Sequence, residues 1–409
     1  MEAALQLESP AVEARERLVA FVGEVADGLS LARQRENALL YVRGLIEQGG
    51  RKSLQPTLFR LEETPARYES MQQFLADSPW DPGLLVRECA ERVASELGVT
   101  AWVVDDTGIA KDGKHSPGVK RQYSGTLGKI GNCQIGVSLH AVGERGTLPL
   151  GWSLYLPEDW CDDPERRRRA KIPSDVSFQT KPQLAAALIA DAASWEVPRG
   201  PILADQAYGD DGDFRVGLDD ERLSYVVSVS SKTSVYGADT EFQVPARAGL
   251  IGRLPRVQRA DRDSSSVLEL AALLPRDAFE TLAYGATSAG EIRESRFACV
   301  RVFAVGEIRR LRRTPRSEWL IIEWPDHAEQ PTDYWLSNLP LGTAAAELVR
   351  LARLRWTIEL DYRQLKGELG LDHYEGRSFA GWHHHTALVT CAHAFLTEER
   401  LDPRAPQPA

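Results

Sequence analysis

The sequence predicts an α/β protein with a helical N-terminal region and a β-rich segment placed before its last helices. Apolar residues recur at three- and four-residue spacing over roughly the first 97 residues, as in amphipathic helices. Short apolar runs then alternate with helical patterns, as in α/β domains. Few long helical patterns occur between about 231 and 340. A chain of 409 residues is long enough for two or three such domains.

From these patterns we predict five segments. Residues 1–97 form a helical domain, in which the turn-forming stretches QGGRKS and DSPWDP separate helices. Residues 98–230 form the first part of an α/β core, and residues 231–340 form the β-rich insertion. Residues 341–400 return to the core as one long helix over TAAAELVRLARLRWTIELDYRQLKGELG and a second over WHHHTALVTCAHAFLTEERL. The Pro-rich residues 401–409 are predicted to be a disordered tail.

Composition excludes several classes of protein. The 43% hydrophobic and 26% charged residues are ordinary for a globular chain and exclude a disordered chain or a coiled-coil rod. No run approaches the roughly 18 apolar residues of a membrane span, so we expect no membrane partner. The acidic start, MEAALQLESPAVEARERL, lacks the apolar core of a secretory signal. Five scattered cysteines without a CxxC pair favour a reducing cytoplasm.

The net charge is −10, from 49 basic and 59 acidic residues, which argues against a general nucleic-acid coat. Positive charges are nevertheless clustered, with four consecutive arginines at 166–169 and five more between 309 and 316. Each cluster is either a solvated surface or a local groove for phosphates.

Acidic residues follow two of the predicted strands. The run VVDD closes at Asp105 and Asp106, and ILAD closes at Asp205. Ligands of α/β sheets gather beyond the carboxyl ends of strands, so acids at two such ends can share a site. The alternative is that each Asp only begins a turn, a position that Asp favours.

The predicted long helix supplies a third acid. Arg355, Glu359 and Lys366 are 4 and 7 residues apart, which places them within roughly 40° of one another beside an apolar stripe. A simple Arg355–Glu359 ion pair is the alternative explanation. Three carboxylates in one pocket repel one another, and a divalent cation such as Mg²⁺ neutralises that repulsion. Two such ions can activate an attacking oxygen and stabilise a leaving oxygen in phosphoryl transfer.

These residues carry a family resemblance. RWTIELDYRQLKGELG resembles the C-terminal signature of DDE-type insertion-sequence transposases in the family-four group, whose order is Tyr, Arg, Glu, Lys. Arg355, Glu359 and Lys366 match that order, and Ala352 stands where the tyrosine is expected. VVDDTG resembles the first-aspartate motif, in which the catalytic Asp directly precedes Thr and is therefore Asp106. ILADQAYG resembles the second motif, with Asp205. GVKRQYSGTLGKIGNCQIGVSLHAV and GLDHYEGRSFAGWHHH resemble the seven-hundred-one-type relatives.

The resemblance implies a ribonuclease-H-like, retroviral-integrase-like core with an inserted β domain. The stretch between Asp205 and Glu359 is far longer than the roughly 30 residues of one crossover, which agrees with an insertion. The implied function is a Mg²⁺-dependent transposase and endonuclease. Asp106, Asp205 and Glu359 are its catalytic residues and hold two Mg²⁺ or Mn²⁺ ions. The implied partners are double-stranded DNA, both terminal inverted repeats and target, and a second copy in a homodimeric synaptic complex. The implied location is the cytoplasm, at the nucleoid.

Several basic residues are candidate DNA contacts. The resemblance places Arg355 and Lys366 near the metal site. There an arginine can contact a phosphate through two hydrogen bonds, and a lysine acts on it as a point charge. A Gly-rich basic stretch after the first Asp is either a DNA contact or a mobile surface loop. The candidates outside the signature are Lys120, Arg121, Lys129, Arg51 and Lys52.

Histidines and tryptophans near the C-terminus have plainer explanations than catalysis. His383, His384, His385 and His393 do not suit a transition-metal site, because consecutive helical residues point in different directions. Trp319, Trp324 and Trp335 fit a core better than a base-stacking surface, although the resemblance allows one of them to hold a flipped base.

Two alternative functions remain open on the sequence. The first is a catalytically silent, domesticated transposase that only binds DNA, which the Ala352 departure favours. The second is a metal-dependent phosphohydrolase acting on small phosphate esters. A steep fall of binding with salt distinguishes a long DNA substrate from a small ester.

Overall fold

The computed structural model describes residues 2–47, 49–125, 128–244, 258–286, 290–305 and 316–402, with side chains from residue 12 onward. The chain forms two compact units. The first consists of residues 1–199 and 357–409, and the second of residues 200–356. Most of the predicted disordered tail, and four of the five arginines between 309 and 316, lie outside the described residues. Within the described ranges, no helix is long and apolar enough to cross a membrane.

The first unit begins with the predicted helices, and their secondary structure is confirmed. Residues 49–53 of QGGRKS lie between the second and third helices, and residues 77–81 of DSPWDP lie between the fourth and fifth. The last break starts a new helix because Asp81 accepts a hydrogen bond from the Gly83 amide and Pro82 occupies the first turn. These helices are α1 (Glu2–Val25), α2 (Ala32–Ile46), α3 (Leu54–Arg60), α4 (Pro65–Ala76) and α5 (Pro82–Val93).

The sheet of the first unit is antiparallel. Its strands are β1 (Val99–Ala110), β2 (Lys120–Ser124), β3 (Lys129–Gly143) and β4 (Gly146–Tyr155). β3 is central, with β1 on one side and with β2 and β4 along successive parts of the other. The prediction that the first acidic run ends its strand is wrong. Pairing with β3 continues from Asp105, opposite Ser138, to Ala110, opposite Cys133, so both aspartates lie inside β1.

The second unit carries the predicted β-rich segment. A sheet with the order β10-β7-β12-β13-β14-β6-β5 has β5 and β6 parallel and its other neighbours antiparallel, with β11 paired to β12. Its strands are β5 (Ile202–Ala204), β6 (Tyr225–Val229), β7 (Ser234–Gly237), β10 (Ser265–Ser266), β11 (Glu280–Ala286), β12 (Ile292–Ala304), β13 (Ser317–Glu323) and β14 (Asp333–Ser337). A separate pair joins β8 (Phe242–Gln243) to β9 (Arg259–Ala260).

The remaining helices divide between the two units. In the first unit, α14 is enclosed by α2, α4, α5 and β4 and forms the centre of the core. In the second, α11 begins where Ser266 and Glu269 form a capping box. The helices of the first unit are α6 (Glu158–Cys161), α7 (Pro164–Ala170), α8 (Lys181–Ala193), α13 (Thr357–Gly367) and α14 (Phe379–Leu401), and those of the second are α9 (Gln206–Gly209), α10 (Gly212–Asp220), α11 (Val267–Leu273) and α12 (Ala345–Leu354).

The single long helix predicted from about residue 343 is wrong. The chain forms α12, leaves the helix at Arg355 and Trp356, and starts again as α13. At this break the Arg293 guanidinium lies over the Trp356 ring, 5.2 Å from its centroid. Local helical preference is a weak predictor, which tertiary context often overrides. Arg355 therefore does not share a helix with Glu359 and Lys366. The α/β class is confirmed, whereas the ribonuclease-H-like layout and the five segment boundaries stay predictions.

Candidate functional site

Asp106 lies inside β1, because the pairing of β1 with β3 continues past this residue to Ala110. Its carboxylate oxygen Oδ2 is 2.8 Å from the Lys181 Nζ of α8, and its side chain is 16% exposed. The neighbouring Asp105 is buried and accepts a hydrogen bond from the Asp106 amide at 2.7 Å. Successive strand residues point to opposite faces, so only one of these two acids can face a given site. The more accessible one is Asp106, which forms the ion pair with Lys181.

Glu359 lies in the first turn of α13 and is exposed, and α13 packs against β1. The two elements are also tied by Lys366, whose Nζ donates to the Gly108 carbonyl at 2.9 Å. Burial lowers the pKa of Lys366, and the nearby Asp372 acts in the opposite direction. The helix with Glu359 is thereby joined to the strand with Asp106, and Gly108 lies two residues after that aspartate.

A buried polar cluster on the other side of α13 fixes the helix further. Asp361 is 4% exposed and contacts His140 of β3, Thr147 of β4 at 2.7 Å and His393 of α14 at 3.1 Å. Burial by itself acts to raise the pKa of Asp361, but the His393 and His140 imidazoles outweigh it and hold that pKa below its usual range. β3, β4 and α14 therefore hold Asp361, which lies two residues after Glu359 on α13.

In the second unit, Asp205 follows β5 directly, as predicted. It caps α9, where its Oδ1 accepts from the Ala207 amide at 2.9 Å. Asp205 and Arg355 line the same cavity of about 400 Å³. Ala352, which stands at the signature's tyrosine position, lines it as well. Asp205, Ala352 and Arg355, the motif positions of the second unit, thus line one cavity.

Aromatic rings and guanidinium groups line much of that cavity. Trp356 is 39% exposed with Arg293 over its ring, and Arg353 lies over both Tyr284 and Trp335 at 5.4 and 5.1 Å from the ring centroids. Burial lowers the pKa of Arg353, which forms ion pairs with Glu323 and Asp333. Flat rings and planar cations are the groups that stack bases and contact phosphates.

Three candidate cations of the basic stretch after the first Asp lie on the paired strands β2 and β3. Lys120, Arg121 and Lys129 are all exposed there, beside the exposed ring of Tyr123. Lys120 also forms an ion pair with Asp159, at 2.8 Å. The three cations thus stand on paired strands, and the choice between a DNA contact and a surface loop stays a prediction.

The two N-terminal candidates differ from each other. Arg51 is exposed and pairs with Glu375 at 2.6 Å. Lys52 is 4% exposed, its Nζ donates to the Glu47 carbonyl, and burial lowers its pKa. We correct the prediction for Lys52, because a buried ammonium with an internal acceptor is not available to a DNA phosphate.

The histidines and tryptophans that the sequence singled out have packing partners. His384 lies within 2.7 and 3.0 Å of the Leu75 and Trp80 carbonyls, and His385 within 3.1 Å of the Leu371 carbonyl. Trp335 is buried yet lines the cavity of Asp205. The indole N–H groups of Trp319 and Trp324 donate to the carbonyls of Pro340 and Ala328.

The donor chemistry of the three acids suits Mg²⁺, which prefers oxygen ligands. Asp106 is partly exposed, and one of its oxygens is taken by the Lys181 ammonium. Among the described residues, no group of three or more His, Cys, Asp or Glu side chains is placed to hold a metal ion.

Sequence reasoning missed Lys181 and Asp361. One signal was available for Lys181, since a basic residue in the first turn of a helix opposes the helix dipole and calls for another explanation. No sequence signal marked Asp361, because in the sequence a buried acid on an amphipathic helix looks the same as a solvent-exposed one.

Comparison with known proteins places the chain in a family. It is 32% identical over 166 residues to a probable transposase for the insertion sequence element IS701 of Microchaete diplosiphon, covering 40% of this chain and 41% of that protein. The chain thus spans about two fifths of the length of the curated relative it matches. A family described as DDE superfamily endonuclease matches residues 24–290, a range that contains Asp106 and Asp205 but not Glu359. Because that match covers more than half of the chain, the protein belongs to the DDE superfamily of endonucleases.

Proposed function

We propose that the protein is a DNA transposase that cuts the ends of an insertion sequence and joins them to target DNA. Its catalytic carboxylates are Asp106 and Glu359 of the first unit and Asp205 of the second. One observation carries the proposal: the helix with Glu359 packs on the strand with Asp106, and Lys366 joins them through the Gly108 carbonyl. The family membership and the IS701 relative support it.

The three carboxylates would hold two Mg²⁺ or Mn²⁺ ions, which when bound supply charge stabilisation for phosphoryl transfer. The chain's own residues orient these ligands. Asp361, held by His140 and Thr147, fixes the first turns of α13, and the pairing of β1 with β3 fixes Asp106. Arg355, beside Asp205, is suited to a bidentate contact with a DNA phosphate.

The cavity beside Asp205 suits a nucleotide. Trp356 offers a partly exposed face for stacking a base, and Arg293 and Arg355 offer charge for the backbone. The cations Lys120, Arg121 and Lys129 of β2 and β3 supply further contacts with a duplex. Recognition of the terminal inverted repeats by the N-terminal helices, and a homodimer in the synaptic complex, complete the proposal.

The test is strand cleavage of the DNA that flanks the gene, with purified protein and Mg²⁺. Asp106→Asn, Asp205→Asn and Glu359→Gln should each lower the rate about 10³-fold, since several kcal/mol of charge stabilisation is lost at 1.36 kcal/mol per tenfold. Glu368→Gln is the matched control, because Glu368 is an exposed acid just after α13.

The outcomes separate the candidate functions. Cleavage that survives all three substitutions overturns the assignment of the acids. Tight DNA binding without nicking at any Mg²⁺ or Mn²⁺ concentration identifies the catalytically silent, domesticated form instead. Hydrolysis of small phosphate esters, with substrate binding that hardly depends on salt, identifies the phosphohydrolase.

A further inference from the structure

Lys181 occupies a position that helix stability does not explain. It is the first residue of the 13-residue α8, directly after the N-cap Thr180. The N-terminal end of a helix carries partial positive charge, so a cation there is disfavoured. No acidic residue in the first turn of α8, all of which the structure describes, compensates it. A residue that breaks a local rule without a local gain is expected where function requires it.

The backbone of Lys181 is held firmly. Thr180 and Gln183 form a capping box, with the Thr180 amide donating to the Gln183 Oε1 at 2.9 Å. α8 packs against β3 and β4, the strands beside β1. The start of the helix is therefore fixed in a place from which the lysine side chain reaches β1.

That side chain ends on Asp106. Nζ lies 2.8 Å from Oδ2, and the two side chains are only 27% and 16% exposed, so water and salt screen the pair less than a surface pair. Both charges also act on the buried Cys133 thiol of β3. Burial is the main cause that raises the pKa of that thiol, Lys181 lowers it and Asp106 raises it. The Lys181–Asp106 pair therefore lies next to β3, the strand that pairs with β1.

We propose that Lys181 belongs to the catalytic centre: it neutralises Asp106 before a divalent cation arrives, competes with that cation, and then binds a DNA phosphate. The inference rests on the proposed function, in which Asp106 is a metal ligand. A lysine suits this exchange because its ammonium is a strongly hydrated point charge on a flexible stem. A divalent ion on Asp106 repels the ammonium, and the phosphates of bound DNA attract it.

The first experiment measures Mn²⁺ affinity by electron paramagnetic resonance, on the full chain without DNA. Lys181→Met should tighten binding about fivefold, the factor expected when a competing ion pair of modest strength is removed. Lys181→Arg should keep the original affinity. Lys171→Met is the matched control, since Lys171 pairs with Asp77 in the same unit and should change nothing.

The second experiment measures binding of a duplex with the element's end, in Ca²⁺ and at several salt concentrations. Lys181→Met should weaken binding and reduce the slope of log K against log[salt] by about 0.9, the value for one phosphate that is no longer neutralised. An unchanged slope overturns the transfer to phosphate.

Failure of this inference can be told from failure of the proposed function. If Asp106→Asn abolishes Mn²⁺ binding but Lys181→Met leaves the affinity equal or weaker, Lys181 does not compete with the metal. If Asp106→Asn leaves Mn²⁺ binding intact, the metal assignment itself is wrong. Lys181→Gln, which keeps a polar side chain, provides the same comparisons should the methionine variant fold poorly.

Discussion

The two units of the chain compensate buried acids in different ways. In the first unit, Asp361 lies among His140, His393 and Thr147. In the second, Glu323 is 3% exposed and pairs with Arg353, whose guanidinium lies between aromatic rings. Arginine stays charged at any ordinary pH, whereas histidine titrates. Seven of the chain's eight histidines belong to the first unit. The first unit therefore surrounds its buried acid with imidazoles and a hydroxyl, and the second pairs its buried acid with a guanidinium.

The largest effect is expected from Asp361→Ala. Removing the acid leaves two buried imidazoles and a hydroxyl without their common partner, which should lower the free energy of unfolding by about 3–5 kcal/mol. Urea unfolding followed by tryptophan fluorescence measures it. Glu368→Ala, an exposed acid, should stay within about 0.5 kcal/mol of the original protein. A decrease below about 1 kcal/mol for Asp361→Ala would mean that the cluster does not hold α13.

A smaller effect is expected at the cavity of the second unit. Trp356→Ala should weaken binding of DNA with an unpaired end by about 1–3 kcal/mol, the usual contribution of one stacked base. Fluorescence anisotropy in Ca²⁺ gives the affinity. Trp324, which is not among the cavity's lining residues, provides the control as Trp324→Ala. If both variants lose the same DNA affinity, the cavity is not part of the DNA-binding surface.

The cations on β2 and β3 of the first unit should affect mainly the salt dependence. The double change Arg121→Gln and Lys129→Gln removes two exposed cations and should reduce the slope of log K against log[salt] by about 0.9 for each phosphate that is no longer neutralised. The matched change in the second unit is Arg262→Gln, whose guanidinium pairs with Asp239 and Asp261 and should leave the slope unchanged. A slope unaffected by the double change contradicts a role of these cations in binding.

The last expected effect concerns pH. Burial lowers the pKa of His385 to about 3 and that of His383 to about 4, so the folded first unit keeps both rings neutral. The unfolded chain binds protons below its ordinary histidine pKa of roughly 6.5, so stability is complete above that pH and falls on acidification toward pH 3–4. His385→Gln should flatten this fall in urea midpoints measured from about pH 7 to about pH 4. An unchanged profile would show that His385 does not contribute.

Periodicity predicted much of the fold correctly. The helices before residue 97 and α14 follow from local spacing, because a period of 3.6 residues identifies a helix without reference to its neighbours. The candidate acids Asp106, Asp205 and Glu359 came from motifs, and their roles stay proposals. The −10 charge and the lack of a long apolar run were equally available from the sequence.

Other features were decided only by tertiary structure. β1 passes beyond Asp106 because β3 pairs with it as far as Ala110. The long helical pattern that starts near residue 343 breaks at Arg355 and Trp356, where Trp356 packs against Arg293. Lys181 reaches Asp106 across 75 residues of sequence, and Asp361 meets a partner 221 residues away. A local pattern determines which face of an element is apolar. Which distant charge will neutralise a given side chain depends on packing, since electrostatic attraction acts through space rather than along the chain.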